Sequence, residues 1–386
     1  VNASCFLRSK YVLEIHIQKF EHLPLITDSS KMDLNLKIDD SKYKIDRINV
    51  WINDVAIFGS NGISVRDKNI MSFEQNVNIP LARGENKIQV SVLNQAGAES
   101  FKQTVNVMCN AGKTTPDLYL ITIGESEFAD SKFNLTYAAK DANDFSNLFK
   151  QSKEFGKVFN TTIVNKEVSL EKINSLKETL SQADINDQVM VFFAGHGVLD
   201  DELDYYLATY DMDFENPKGK GIPYEKLEGL LDGIHPLKKT LLIDACHSGE
   251  LDKDDVSLIE ASDQIESGDI QFRAVGNSVK PKMGTENISS LTKSLFTDLR
   301  KGTGATVISS AGGVEFAMES DEWKNGLFTY CMLKGIKTMD ADLNKDNEIW
   351  LSEIQQYVHN QVKELSGGQQ VPTSRIENLT IDYRIW

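Results

Sequence analysis

The 386 residues carry 57 Asp and Glu against 41 Lys and Arg, a formal charge of -16, with 40% hydrophobic and 25% charged residues. That length suits two domains with a sizeable core each, and no apolar run is long enough for a helix to cross a bilayer. The acidic balance argues against the basic face that nucleic acids require and favours cationic partners such as basic peptides or metal ions.

The chain opens on Val1 without a charged segment leading into an apolar one, so the natural N-terminus is expected upstream and the compartment stays open. Between residues 30 and 108, apolar and polar residues alternate at period two in Leu34-Leu36-Ile38, Ile48-Val50-Ile52, Phe73 to Ile79, Ile88-Val90-Val92 and Val105-Val107. Turn-forming runs such as Gly59-Ser60-Asn61-Gly62 separate them, which predicts short antiparallel strands. Residues 1–110 are therefore expected to form an all-β sandwich similar to immunoglobulin-like domains, without their Cys…Trp…Cys pattern. It carries no chemistry and is expected to position the second domain or contact a partner.

Residues 111–116 form a linker, and from Asp117 to the end strands alternate with helices, the pattern of an α/β domain with a mostly parallel sheet covered on both faces. Its strands are expected at Leu118 to Ile123, Thr161 to Val164, Gln188 to Phe193, Thr240 to Ile243 and Ala305 to Ile308. Helices are expected through Leu135 to Phe149 and from an N-capping Ser169 to Leu180. Residues 250–290 are polar and read as a long loop. Helices at Leu327 to Ile336 and Glu353 to Val362 precede a last strand at Asn378 to Trp386.

Four cysteines, at 5, 109, 246 and 331, show no C-x-x-C spacing, so neither a zinc cluster nor a disulfide framework is indicated. Cys246 stands apart because it ends an apolar strand, in Leu241-Leu-Ile-Asp244-Ala-Cys246-His247-Ser-Gly249. A second apolar strand ends at Val191-Phe-Phe-Ala-Gly-His196-Gly197. In open parallel sheets, ligands bind beyond the carboxyl ends of the strands, so these termini can share one cleft. A thiol needs a base to become thiolate, and an imidazole supplies one. His196 is the better base than His247, because neighbouring residues at a strand end project oppositely. The backbone N–H groups of Gly197 and Cys246 offer an oxyanion hole. Both side chains are expected to be dispensable for packing.

The pair Ala194-Gly-His-Gly197 and Asp244-Ala-Cys-His-Ser-Gly249 resembles the catalytic motifs of caspase-like peptidases, including metacaspases and paracaspases. The His-then-Cys order and the 50-residue separation agree. This resemblance covers roughly Asp117 to Trp386. It implies a six-stranded caspase-type α/β/α sandwich and a cysteine endopeptidase with a Cys246–His196 dyad and no cofactor in the chemistry. Aspartate-specific caspases carry Gln two residues before the nucleophile, whereas this chain has Asp244, as metacaspases and paracaspases do. Their second pocket acid matches Asp141, Glu315 is a third candidate, and cleavage after Arg or Lys is implied. Self-processing in the loop 250–290, at Lys253, Arg273, Lys280 or Lys282, is expected as well. Metacaspases also bind calcium after the histidine strand; Asp211 matches the first ligand, but Tyr224 replaces an acid.

A separate pattern spans 342–353: oxygen-bearing side chains at Asp342, Asn344, Asp346 and Glu353, with Glu348 placed to give its backbone carbonyl, have the spacing of an EF-hand calcium loop. Asn347 holds the turning position, normally Gly. The rival reading of the chain is a calcium-binding caspase-like scaffold or interaction module that has lost catalysis.

Overall fold

A computed structural model describes residues 12–200, 202, 204–245, 270–272 (backbone), 303–311, 317–378 and 381–386. The first part holds β1 (Leu13–Ile17), β2 (Ile26–Thr27), β3 (Lys31–Asp40), β4 (Ile45–Ile52), β5 (Val55–Ala56), β6 (Ile63–Ser64), β7 (Ser72–Pro80), β8 (Gly84–Asn94) and β9 (Gln103–Cys109). One sheet has the order β1-β3-β7 and the other β2-β9-β8-β4-β5, with β6 on β4. The period-two pattern explains why they face each other. Leu34, Leu36 and Ile38 point from β3 into the same core as Ile48, Val50 and Ile52 of β4 and Val90 and Val92 of β8. The sequence reading missed β1, which alternates equally well.

The second part contains β10 (Leu118–Gly124), α1 (Ala138–Lys150), β11 (Val158–Val164), α2 (Leu170–Leu180), β12 (Gln188–Gly195), β13 (Gly197–Leu199), β14 (Tyr205–Leu207), β15 (Ile222–Pro223) and α3 (Tyr224–Gly229). It continues with β16 (Lys238–Ala245), β17 (Ile270–Phe272), β18 (Thr306–Ser309), β19 (Met318–Ser320), β20 (Asn325–Gly326), α4 (Leu327–Thr338), α5 (Leu351–Leu365) and β21 (Thr373–Ile376). The main sheet has the order β11-β10-β12-β16-β18-β21, parallel except for β21. It is the expected mostly parallel six-stranded sheet.

Both faces are covered, which is why the central strands read as continuous apolar runs. Leu120, Phe192 and Leu242 meet α1, α4 and α5 on one face, and Ile121, Val191 and Ile243 meet α2 and α3 on the other. The expected Ser169 cap is present, its side chain accepting from the N–H of Lys172. Helix α1 starts at Ala138, because the buried Glu319 of β19 accepts the N–H groups of Thr136 (2.7 Å) and Tyr137 (3.3 Å). A negative group so placed suits the positive end of a helix.

Two expectations need correction. The stretch 250–290 is not all loop, since β17 within it pairs antiparallel with β19. The last strand of the sheet is β21 and not Asn378 to Trp386; the latter end makes one bridge, Trp350 to Arg384, with the loop before α5.

The sandwich packs on the amino-terminal edge of the main sheet. Ile185, just before β12, and Leu237, just before β16, belong to the sandwich core. Asp232 accepts from the N–H and hydroxyl of Ser60 at 2.8 and 2.9 Å, and Asn186 accepts from the N–H of Arg83 at 2.7 Å. At Gly304, before β18, a Cβ would lie 2.8 Å from the Val55 side chain. The carboxyl ends of the strands lie roughly 25 Å away, the length of an eight-residue strand. Among the described residues, no helix is long and apolar enough to cross a membrane.

Candidate active site

Strand register sets the site. In the parallel pair β12 and β16, Ala194 lies beside Asp244 and Gly195 beside Ala245. The next residues in each chain are His196 and Cys246. Ala194 and Leu242 both face α1 and α4. Strand alternation assigns Asp244 to that face as well. Cys246, His247 and Glu315 lie outside the described residues, as do Lys253, Arg273, Lys280 and Lys282.

His196 is 3% exposed. Its Nε2 lies 2.8 Å from the carbonyl oxygen of Phe133, and its ring sits 5.2 Å from Phe128 and 5.7 Å from Phe214, centroid to centroid. A carbonyl only accepts, so Nε2 carries a proton, and in the neutral form of the ring the lone pair lies on Nδ1. The backbone carbonyl of His196 accepts from the N–H of Ala208 at 2.9 Å, which ties this turn to the end of β14. Gly197 follows as the first residue of β13, buried and in register with Leu207.

Glycine allows the strand end and α1 to meet closely: a Cβ on Gly124 would lie 2.4 Å from the Ala138 carbonyl oxygen. The next residue, Glu125, is fully buried beside the histidine strand, its N–H donating to Ala194 O at 3.0 Å. One carboxyl oxygen accepts the Glu127 N–H at 3.1 Å, while the other has no hydrogen-bond partner among the described residues. Burial pushes this carboxyl up to about 8, so it is mostly neutral at pH 7. The sequence reading did not single it out, because only the fold reveals its burial.

The two predicted pocket acids come to the same helix end. Asp141, in the first turn of α1, accepts from Asn325 Nδ2 at 2.8 Å and from the N–H of Gly326 at 3.1 and 3.2 Å. Asp244 accepts from the hydroxyl of Thr329 at 2.6 Å and its N–H at 3.3 Å. Both acids are fully buried at the N-terminus of α4.

The positions matched to the metacaspase calcium site do not assemble one. Asp211 pairs with Lys220 at 2.8 Å, and Tyr224, the first residue of α3, is fully buried. Three other acids after the histidine strand, Asp200, Glu202 and Asp204, bring carboxylate oxygens within 4.8 Å of one another, and Lys218 pairs with the first two.

The loop 342–353 is tightly wound. Asp342 accepts the N–H groups of Asp346 (3.2 Å) and Asn347 (2.9 Å), and Asn344 Oδ1 accepts the N–H of Asp346 at 2.8 Å. Glu353 accepts three backbone N–H groups, from Leu343, Asn344 and Trp350, at 3.0 to 3.1 Å. Asn347 has φ of 67°, the left-handed turn that this loop position needs. The Glu348 side chain is engaged by Arg384 at 2.6 Å. The oxygens of Asp342, Asn344 and Glu353 accept N–H groups of the loop itself, and Asp342, Asp346 and Glu353 do not gather their carboxylate oxygens within 4.8 Å of one another as Asp200, Glu202 and Asp204 do.

No curated protein sequence matches the chain. Among solved structures, protein GSU0716 from Geobacter sulfurreducens is similar over 67% of this chain and 92% of its own, with 19% identity and a TM-score of 0.46. The family model described as "Caspase domain" matches residues 119–383, which include β10, α1, the histidine strand, β16, α4 and β21. The chain therefore belongs to the caspase-domain family of cysteine peptidases.

Proposed function

We propose that this protein is a cysteine endopeptidase of the metacaspase and paracaspase type, in which Cys246 is the nucleophile and His196 its general base. The observation that supports it most is the register of β12 and β16, in which Gly195, the residue before His196, lies beside Ala245, the residue before Cys246 in the sequence. The Phe133 carbonyl holds the proton on Nε2, so Nδ1 takes the thiol proton from Cys246 and the thiolate attacks the scissile carbonyl. The N–H groups of Gly197 and Cys246 receive the oxyanion, and the imidazolium then protonates the leaving amine. Water hydrolyses the acyl-enzyme by the reverse use of the same base.

Substrates carry Arg or Lys before the cut. Two buried acids, Asp141 and Asp244, gathered at one helix end, support that preference, because two carboxylates favour a guanidinium or ammonium by charge. Glu315 is the third acid of this reading. Self-processing falls within 250–290, at the basic residues on either side of β17.

The loop 342–353 takes calcium through Asp342, Asn344, Asp346, the Glu348 carbonyl and Glu353; the ion supplies structural cross-linking and no chemistry. The N-terminal part is an immunoglobulin-like module seated far from the cleft. Its place supports a buttressing or partner-contact role over one in substrate binding.

The test is incubation with a randomised peptide library, together with alkylation by an arginyl chloromethyl ketone. Cleavage after basic residues, with loss of labelling in Cys246→Ala, is expected. A chain that neither cleaves nor labels is the inactive scaffold.

A further inference from the structure

We infer that Asn325 and Thr329, on the turn that opens α4, are positioning residues that set the selectivity of the peptidase for a cationic side chain. This rests on the reading that Asp141 and Asp244 receive that side chain. The two acids arrive from separate elements, α1 and the end of β16, and are held by one five-residue run, Asn325 to Thr329.

Asn325 is 6% exposed and shares its amide among three charged groups. Its Nδ2 donates to Asp141 at 2.8 Å and to Asp144 at 3.0 Å, while its Oδ1 lies 3.5 Å from the ammonium of Lys140. Only an amide offers donors to two carboxylates and an acceptor to a cation from one side chain. Thr329 is fully buried and gives Asp244 both its hydroxyl and its N–H, so the carboxylate is fixed by a fork from the first turn of α4. An acid that is already held does not have to be ordered when the substrate binds, and that advantage applies only to substrates carrying a positive charge.

The sequence hid this device. Asn-Gly-Leu-Phe-Thr reads as a turn and a helix start, and its partners lie more than 80 residues away.

The test compares two peptides that differ only in the residue before the cut, arginine or its neutral isostere citrulline. It uses the full chain and the variants N325D, T329V and T329S, with melting temperatures recorded for each. N325D replaces the donor with a third carboxylate, and T329V removes the hydroxyl at constant shape. Each should lower the arginine-to-citrulline ratio of kcat/KM by about tenfold or more, the size expected for a lost hydrogen bond to a charged group. The loss should lie in KM for the arginine peptide, with citrulline turnover unchanged. T329S should keep the wild-type ratio. Variants that keep the ratio, or that lose both activities in parallel with a lowered melting temperature, overturn the proposal. A wild-type enzyme with no preference for arginine over citrulline overturns instead the specificity reading on which it rests. The two variants act on different acids, so either one, if folded, decides the matter.

Discussion

The imidazole Nε2 of His196 donates to the backbone carbonyl of Phe133 across 2.8 Å, so a main-chain oxygen orients this ring and fixes its tautomer. The ring is also a packing element, enclosed by Phe128 and Phe214. His196→Ala should therefore abolish peptide cleavage and, contrary to the expectation that the ring is dispensable for packing, lower stability by about 1–3 kcal/mol. Urea melts beside Cys246→Ala check this. An unchanged midpoint for the alanine variant would show that the ring adds nothing to the fold.

Glu125 gives a pH signature. Its carboxyl is raised from about 4.5 to about 8 by burial, so the folded state holds the proton more tightly than the unfolded chain. Its contribution is complete below about 4.5, declines as the pH rises, and is lost above about 8, a total on the order of 5 kcal/mol. Glu125→Gln lacks this dependence. Urea melts at pH 5 and pH 9 should show the glutamine variant gaining on wild type at the higher pH. Parallel curves for the two proteins would sink the assignment.

What the sequence disclosed, and what it hid, follows from the range of the interactions. Ser169 caps α2 through the N–H three residues on, so its signal is local and readable. The start of α1 is set by Glu319, far along the chain, and its first helical residue could not be placed from neighbours alone. The strand Thr373–Ile376 was overlooked because its one fully inward residue is Arg375, buried against Glu228, and a buried arginine reads as exposed. Ile381, Tyr383 and Ile385 alternate well enough to imitate a strand, yet their segment closes the calcium-type loop instead. The strands before His196 and Cys246 were legible because each is an apolar run followed by an unusual residue. The burial of Asp141 and Asp244 on one helix turn was not, since it depends on four elements meeting.

Leu237 tests how far the two parts are one unit. It precedes β16 of the peptidase sheet but is buried in the core of the sandwich. Leu237→Ala should cost about 2–5 kcal/mol, the usual loss for a buried leucine. Because its contacts lie across the junction, calorimetry should show one transition moving down as a whole. Two separate transitions, with the upper one unmoved, would mean that the sandwich and peptidase parts unfold independently.

The last prediction concerns loop 342–353. Its acids accept backbone N–H groups of the loop, three of them on Glu353 alone. The loop joins α4 to α5, and its exit is pinned to the chain end, with Ile349 N–H on Trp386 O at 2.7 Å and Leu351 N–H on Tyr383 O at 3.0 Å. Calcium that binds only the folded state should stabilise it by about 2.7 kcal/mol at one hundred times its Kd. Magnesium should do less, because it demands a tighter octahedral shell. Glu353→Gln keeps an oxygen for the loop amides but loses the bidentate charge. It should lower the metal-free melting temperature slightly and shrink the calcium-dependent rise much more. That increment, measured with calcium against EGTA, is the quantity that decides. If wild type shows neither a calcium heat by calorimetry nor a shift in melting temperature, the spacing of these acids serves only to cap α5.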